Sequence, residues 1–513
     1  MLSKYALTNP LELQLDKKRD EFTRNDLIKV IEENNIERIT FHYTALDGKL
    51  KELKLPIANR IQAESILAEG ERVDGSSLFK GMVDQSLSDL YVVPIYKTAF
   101  LNPFDKGSLD FICRYLQQDG NFASFAMDNI LGNAYRYFKE TTGLELYALG
   151  ELEFYLISKH QSDIFLGSRQ QGYHSSAPYV KNGDILNEMV RYITQMTGCV
   201  KYAHSEVGYV EHVRSDISEI KDKRAEQFEV EFLPTPIHDA ADHLVLSRWL
   251  IRNIAHKYGC VASFAPKIEE GVAGNGLHVH LQLRKDGDNI MTNDEGDLSQ
   301  DALKLIGGLC KYADTLTAFG NTVSSAYLRL VPNQEAPVNI CWSELNRAAM
   351  VRVPLGWAKK NNLSRIVNPN EKLDSTSFQK RQTVELRSPD GSAIIHLLLA
   401  GITMAAQWGI NNQKESLKLA KDLYATGNIF KNPELLKTLP MLPKSCEESS
   451  KILLEKKELY EREGIFPASI IEYVAGVLAK EKDAKMNEVL VDLPADDRLH
   501  ATRRIMHKDI HKH

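Results

Sequence analysis

The chain has 513 residues, 43% of them hydrophobic and 26% charged, with a formal net charge of −6. That is too long for a single core, so two or three globular domains are expected. The acidic balance gives a nucleic-acid partner no electrostatic support, and six scattered cysteines with no Cys-x-x-Cys pair argue against disulfides and a zinc cluster and fit a reducing cytoplasm.

The first residues lack the apolar run of a secretory signal, and residues 1–22 read as a polar arm. Residues 23–33 (TRNDLIKVIEE) predict a helix: Asn25 can cap it, and Leu27, Val30 and Ile31 recur at helical spacing. Residues 36–44 and 50–57 read as strands around Leu46-Asp47-Gly48, a hairpin by its Asp-Gly signal. A small β-rich domain is expected over 23–122, and a larger unit mixing strands and helices over 123–513. Residues 239–258 predict a helix whose apolar stripe holds Leu250, Ile254 and Tyr258 and which Gly259 ends. The longest apolar run, Ala393 to Trp408, is interrupted by His396 and Gln407. It falls short of the ~20 residues a membrane span needs, so a buried helix is expected. Residues 450–463 read as a charged surface helix, and the His-, Lys- and Arg-rich tail from His500 as a solvated C-terminus.

Four short stretches alternate functional side chains with apolar ones: Glu151-Leu152-Glu153-Phe154, Glu229-Val230-Glu231-Phe232, His278-Val279-His280-Leu281 and Glu385-Leu386-Arg387. Residues i and i+2 of a strand share a face. Together the stretches predict a sheet with one polar face rich in carboxylates and imidazoles, a metal and anion site. Many carboxylate oxygens with a single imidazole suit Mg2+ or Mn2+ better than Zn2+. Such ions usually serve phosphate chemistry, which also calls for guanidiniums; Arg329, Arg347, Arg352 and Arg387 are candidates. The loop Gly271–Gly276 (GVAGNG) runs into the His278 strand. Its glycines let backbone approach a ligand, yet Lys267 precedes them and a strand follows, so it is not a Walker-type phosphate loop.

The blocks VDGSS (73–77), GELEF (150–154), GNGLHVH (274–280), RLVPNQEAPV (329–338), NRAAMVRVP (346–354) and VELRSPD (384–390) resemble, in order and spacing, the signature of the glutamine synthetase family. The resemblance implies an α+β fold, an N-terminal β-grasp domain followed by a catalytic domain with a curved antiparallel sheet. It implies ligation of ammonia to the γ-carboxylate of glutamate through a γ-glutamyl phosphate, with ATP as substrate and two or three Mg2+ or Mn2+ ions. By the same resemblance Glu153, Glu206 and Glu229 hold one ion and Glu151, His278 and Glu385 another. Arg329 and Arg387 bind glutamate, with Gly274 in the substrate loop. Arg347 and Arg352 face phosphates, and His280 and Gln282 lie near the nucleotide. Asp74 takes a proton from ammonium across a subunit boundary, with Ser77 and Tyr173 nearby, and Glu335 lies on a closing flap. The implied assembly is a dodecamer of two stacked hexamers with sites between subunits.

The family pattern also breaks. Residues 208–225 insert between Glu206 and Glu229, which leaves Glu211 as a rival ligand to Glu229. Ala273-Gly274-Asn275-Gly276 stands where the family has Asn-Gly-Ser-Gly, removing an asparagine that helps hold glutamate. Gln282 replaces a serine, and the flap reads Pro-Asn-Gln-Glu. These changes keep two other readings open: a γ-glutamyl ligase using an organic amine, and a non-catalytic ring-forming homologue. Tyr424, in DLYATGN, reads as a surface tyrosine, with regulatory adenylylation as the alternative.

Overall fold

The computed structural model describes residues 5–83, 88–160, 164–331, 336–356, 363–372, 381–427 and 433–512. Its N-terminal sheet contains β1 (Arg38–Thr44), β2 (Leu50–Pro56), β3 (Glu71–Asp74), β4 (Asp89–Pro94), β5 (Phe100–Leu101) and β6 (Ser108–Leu116). The strand order is β2-β1-β6-β4-β3, with β5 paired to β6; β1 and β2 form the hairpin expected at Asp47-Gly48, and β1 runs parallel to β6. This is the β-grasp arrangement. The preceding helix, Arg24–Glu33, is capped by Thr23 and not by Asn25. Thr23 and Asp26 form a reciprocal capping box, which satisfies two backbone donors where Asn25 would satisfy one. Within the N-terminal arm, Pro10–Leu15 is helical and Leu11 is fully buried.

The second sheet contains β7 (Glu145–Ser158), β8 (Val200–Val210), β9 (Arg224–Phe232), β10 (Thr235–Pro236), β11 (Val261–Ser263), β12 (Leu277–Lys285), β13 (Asp288–Asn289), β14 (Trp342–Glu344), β15 (Val351–Val353) and β16 (Val384–Leu386). The main order is β14-β15-β16-β12-β7-β9-β8, antiparallel except between β14 and β15. The strands that carry the alternating motifs are therefore neighbours. Their apolar partners, Leu152, Phe154, Val230, Val279 and Leu386, are buried on the opposite face. Helix Ile237–Lys257 packs on β7 there, and helix Ile395–Asn411 packs against helices Met127–Thr142, Ile237–Lys257 and Gln300–Gly320. Residues 395–410 are buried throughout, His396 and Gln407 included, which is the buried helix expected of this apolar run. Among the described residues no helix is long and apolar enough to cross a membrane.

The insertion at 208–225 lengthens the β8–β9 hairpin: Tyr209 pairs with Glu226 and Val210 with Ala225, and a loop closes the end. Three expectations change. Tyr258 leaves the apolar stripe: it is exposed, and its hydroxyl donates to Glu188 at 2.6 Å. Residues 450–463 do not make one surface helix. Cys446–Glu455 ends at Lys456, a short helix follows over Glu458–Glu461, and Leu453 and Tyr460 are fully buried. The C-terminal tail is not a solvated coil either: Ala495–His507 is helical, and Thr502, Met506, His507 and Ile510 are buried. Ser263 donates to the carbonyl of Ile510 at 2.9 Å, which anchors the tail.

Candidate active site

Strand register alone builds the site. Across the polar face, Glu385 lies opposite His280 and Arg352, His278 opposite Glu151, Glu151 opposite Glu231, Glu153 opposite Glu229, and Glu229 opposite His204. Like charges directly opposite each other repel, so Glu151/Glu231 and Glu153/Glu229 would be poor choices for a sheet with only itself to stabilise.

Two sets of potential ligands result. In one, His278 Nδ1 lies 2.6 Å from Glu151 Oε2 and 3.7 Å from Glu385 Oε1. In the other, His204 Nε2 lies 3.4 Å from Glu229 Oε1, and its Nδ1 lies 3.7 Å from Glu206 Oε1. Glu153 sits between the sets: its Oε1 is 4.0 Å from His278, and its other oxygen accepts from the Gly276 N–H at 2.8 Å and from Gln227 at 3.1 Å.

Electrostatics separates the two sets. Burial opposes ionisation of Glu151, but His280 and His278 beside it outweigh burial and hold it well below the usual carboxylate range. Glu385 follows the same balance, with burial overcome by His280 and Arg387, and is lowered. Glu153 is raised well above that range by burial and by the charges of Glu229 and Glu206; Glu229 is raised by burial, Glu151 and Glu206. Burial and Arg387 lower His278, whereas Glu151 outweighs burial at His280 and raises it. A carboxylate group that cannot all ionise unaided is what a divalent cation relieves. The donors are carboxylate oxygens with few imidazoles, a set that suits Mg2+ or Mn2+. Gly276 leaves room for such a group: a Cβ there would fall 2.7 Å from His278 Nε2 and 3.1 Å from Glu153 Oε1.

Guanidiniums edge the carboxylates. Arg387 donates to Glu385 Oε1 at 2.5 Å, and Arg352 to its Oε2 at 2.9 Å. Arg329 is buried, donates to the Ser388 carbonyl at 3.0 Å and lies 3.5 Å from His278 Nε2. Gly274 passes close by, since a Cβ there would meet the Pro266 carbonyl at 2.4 Å and the Arg329 side chain at 3.2 Å. His280 also binds Thr383 at 2.9 Å, and Gln282 lies two residues further along β12, accepting from Arg284 at 3.1 Å. Tyr173 is half-exposed and set edge-on to His204, with 5.4 Å between ring centres. Its turn is pinned to β8 by the bond from Ser205 to the Gly172 carbonyl at 2.7 Å.

The remaining candidates lie elsewhere. Asp74 caps a short helical turn and accepts from the hydroxyls of Ser77 at 2.6 Å and Ser76 at 2.7 Å. Those bonds lower it to about 2. Among the described residues no contact joins Asp74, Ser77 or exposed Arg347 to the carboxylates. Glu335 lies outside the described residues. Glu211 is grouped with His160 and His212, not with Glu229; its carboxylate is 3.4 Å from His160 and accepts from Tyr209. Tyr424 is partly exposed and packs on Trp342.

Two residues join the site without having been assigned a role. His204 stands two before Glu206 on the same strand face. Glu231 stands two after Glu229, groups with Glu151 and His280, and binds Lys201 at 2.6 Å. Period-two spacing marks both, whereas the family blocks mark neither.

Comparison with known proteins agrees with this geometry. The glutamine synthetase catalytic-domain model matches residues 129–490, and the glutamine synthetase beta-grasp model matches 35–118. The chain belongs to the glutamine synthetase family. It is 29% identical to a glutamine synthetase of Methylococcus capsulatus over 88% of this chain and 94% of the relative. It is 28% identical to that of Escherichia coli K12 over 90% and 96%. Among solved structures, a Plasmodium falciparum glutamine synthetase aligns with a TM-score of 0.70 at 20% identity, covering 93% of this chain and 98% of the other. A structure titled GmaS/ADP complex aligns at 0.68 and 21%, covering 92% and 98%. At these identities the solved structures speak for the fold.

Proposed function

We propose that the chain ligates ammonia to the γ-carboxylate of glutamate at the expense of ATP. The observation that carries this reading is the pair of carboxylate–imidazole sets side by side on one sheet face, edged by Arg329, Arg352 and Arg387. Glu151, His278 and Glu385 would hold one divalent ion, and Glu153, Glu206 and Glu229 another. When bound, these ions supply Lewis acidity toward the phosphates and offset charge between carboxylate and triphosphate.

The chain's own groups do the rest. A carboxylate resists attack by ammonia because its leaving group would be oxide; transfer of the terminal phosphate of ATP to it gives γ-glutamyl phosphate, whose leaving group is phosphate. Arg329 and Arg387 bind the anionic ends of glutamate through paired donors. Arg352 and Arg347 neutralise phosphate charge as it shifts between oxygens. His280 and Gln282 face the nucleotide. Asp74, held ionised by its serines, attracts ammonium as a cation and accepts one proton, which frees the nucleophilic pair. Among the described residues of the single chain Asp74 has no contact with the carboxylates, so this step calls for a neighbouring subunit, in keeping with a ring of two stacked hexamers. Glu335 would close the site against water, to which an acyl phosphate is sensitive.

A second reading, ligation of an organic amine to glutamate, is favoured by Asn275. This asparagine is fully buried and donates to the carbonyls of Ser263 and Ala265, so it does not replace the family asparagine missing at Ala273. Phosphate release from ATP, with glutamate and ammonium or a panel of amines, read together with product mass, separates the readings. Glutamine from ammonium supports the first, a γ-glutamyl amide from amines alone supports the second, and no turnover by the intact oligomer overturns both in favour of a non-catalytic ring protein.

A further inference from the structure

The β8–β9 insertion and the C-terminal helix flank an open cavity of about 560 Å³ that the proposed reaction does not use. Two histidine–carboxylate contacts hold the segments together, His500 to Asp216 at 3.3 Å and His511 to Glu219 at 2.9 Å. Arg214, Lys221, Arg503, Arg504 and Lys508 all line the cavity. Arg503 is committed to Glu269, with bonds of 3.0 and 3.1 Å, and Lys508 to Glu481 at 2.6 Å. Among the described residues, Arg214, Lys221 and Arg504 have no salt-bridge partner; two carboxylates line the same cavity, Asp216, which His500 engages, and Asp222. Three cations gathered on one concave surface, each preferring to be apart, are a cost that a multiply charged anion repays. The volume suits a ligand of nucleotide size or smaller, and guanidiniums present the paired donors that phosphate and carboxylate groups accept.

The glycine loop is reached through a neighbouring cavity. This cavity, larger at about 1010 Å³, shares Arg214 and Arg503 and runs along Glu269 to Val272. His507 Nε2 lies 2.8 Å from the carbonyl of Ile268. From Glu269 the chain runs directly into Gly274 and Gly276, which lie against Arg329 and Glu153. A shift of Arg503 on ligand binding would thus move a segment whose far end lines the carboxylate face.

We propose that this cavity is an effector site for a small polyanion, bearing two or more phosphate or carboxylate groups, and that its occupancy stiffens the glycine loop. Control of ligation by that route depends on the proposed function; anion binding and loop stiffening do not. Inorganic pyrophosphate and citrate are the probes, titrated calorimetrically into the assembled full-length protein at low salt. The Arg214→Gln/Arg504→Gln double variant serves as the comparison, with oligomer size and melting temperature as folding controls. Both arginines are exposed, and neither belongs to the catalytic face. Binding by wild type that weakens about tenfold or more in the variant supports the site. Pyrophosphate alone would mark a phosphate ligand, and citrate alone a carboxylate one. Equal binding by both proteins, which would place the anion in the catalytic site, overturns the proposal, as does no binding of either probe. If the double variant misassembles, the single variants Arg214→Gln and Lys221→Gln answer the same question. Hydrogen exchange supplies the second readout: amides of 269–276 should slow on anion binding in wild type and not in the variant. Binding without that protection removes the coupling to the loop.

Discussion

Two clusters of buried charge lie on opposite sides of the larger sheet, and they solve the burial problem differently. Behind it, Arg114 of β6 bonds Asp242 at 2.5 Å and lies 3.6 Å from Asp128, while His396 reaches Asp242 at 3.2 Å. Burial opposes ionisation of Asp242, yet Arg114 and His396 more than offset it and hold its pKa far below the ordinary value; Asp128 remains raised by burial, with Arg114 only partly compensating. On the front face, Glu153 and Glu229 are both raised, by burial first and then by the charges of neighbouring carboxylates. The rear cluster is complete within the chain and fastens the β-grasp domain to the helices. At Glu153 and Glu229 the front cluster carries a charge imbalance that the proposed ions would relieve. Buried charge that the chain leaves unbalanced thus marks a site, and buried charge that it balances marks a joint.

The largest effect should come from removing one front carboxylate. Glu229→Gln is expected to lower turnover on the order of a thousandfold, about 4 kcal/mol of barrier. Without added divalent ions the same variant should melt higher than wild type, since a like-charge pair contributes up to about 1 kcal/mol of repulsion. A fall in the metal-free melting temperature would show that the front face is balanced after all.

Asp242→Asn should do the reverse. Removing one partner leaves Arg114 buried without its main counter-charge, at a cost of about 3–5 kcal/mol. Because the folded-state pKa of Asp242 is depressed, its contribution is fully present above the unfolded value of about 3.9 and is lost as pH falls toward the folded one. The gap in melting temperature between wild type and variant should therefore be widest near neutrality and close below about pH 4. A gap of constant width would mean that packing, not charge, holds this joint.

How far each cluster could be read in the sequence follows the same division. The front face was legible because strand alternation is short-range: Glu151, Glu153, Glu229, His278, His280 and Glu385 declare their shared face by spacing alone. His204 and Glu231 obey the same rule, although no family block assigns them a role. The rear cluster was not legible, since Arg114, Asp128, Asp242 and His396 come from four separate elements and no local pattern joins them. Asp242 falls inside the helix expected over 239–258, where nothing in the local spacing marks it as buried. The tail failed for a related reason: His507 and Ile510 are buried by contacts with Ile268 and Ser263, more than two hundred residues away.

Divalent ions test the imbalance directly. Mn2+ at about a hundred times its dissociation constant should stabilise wild type by about 2.7 kcal/mol, and a chelator should reverse this. Asp242→Asn should keep that increment in full, because the rear cluster has no part in binding. Glu229→Gln should lose most of it. An equal increment in all three proteins would mean that the ion binds somewhere other than the carboxylate face.

The smallest effect is expected at a cluster that resembles the front face in composition and differs in setting. His160, Glu211 and His212 offer three ligand atoms close together, but His160 and His212 are exposed, and Glu211 is already engaged by His160 and the Tyr209 hydroxyl. Water can solvate this carboxylate, so nothing forces it to recruit a cation, and surface pairs of this kind contribute about 0–1 kcal/mol. Glu211 also lies beyond the stretch of β8 that faces Glu229. Glu211→Ala should accordingly leave turnover within about twofold and the Mn2+ increment unchanged. A loss approaching that of Glu229→Gln would restore Glu211 as a ligand and would mean that burial, on which the contrast between the two sides of the sheet rests, is not what selects the site.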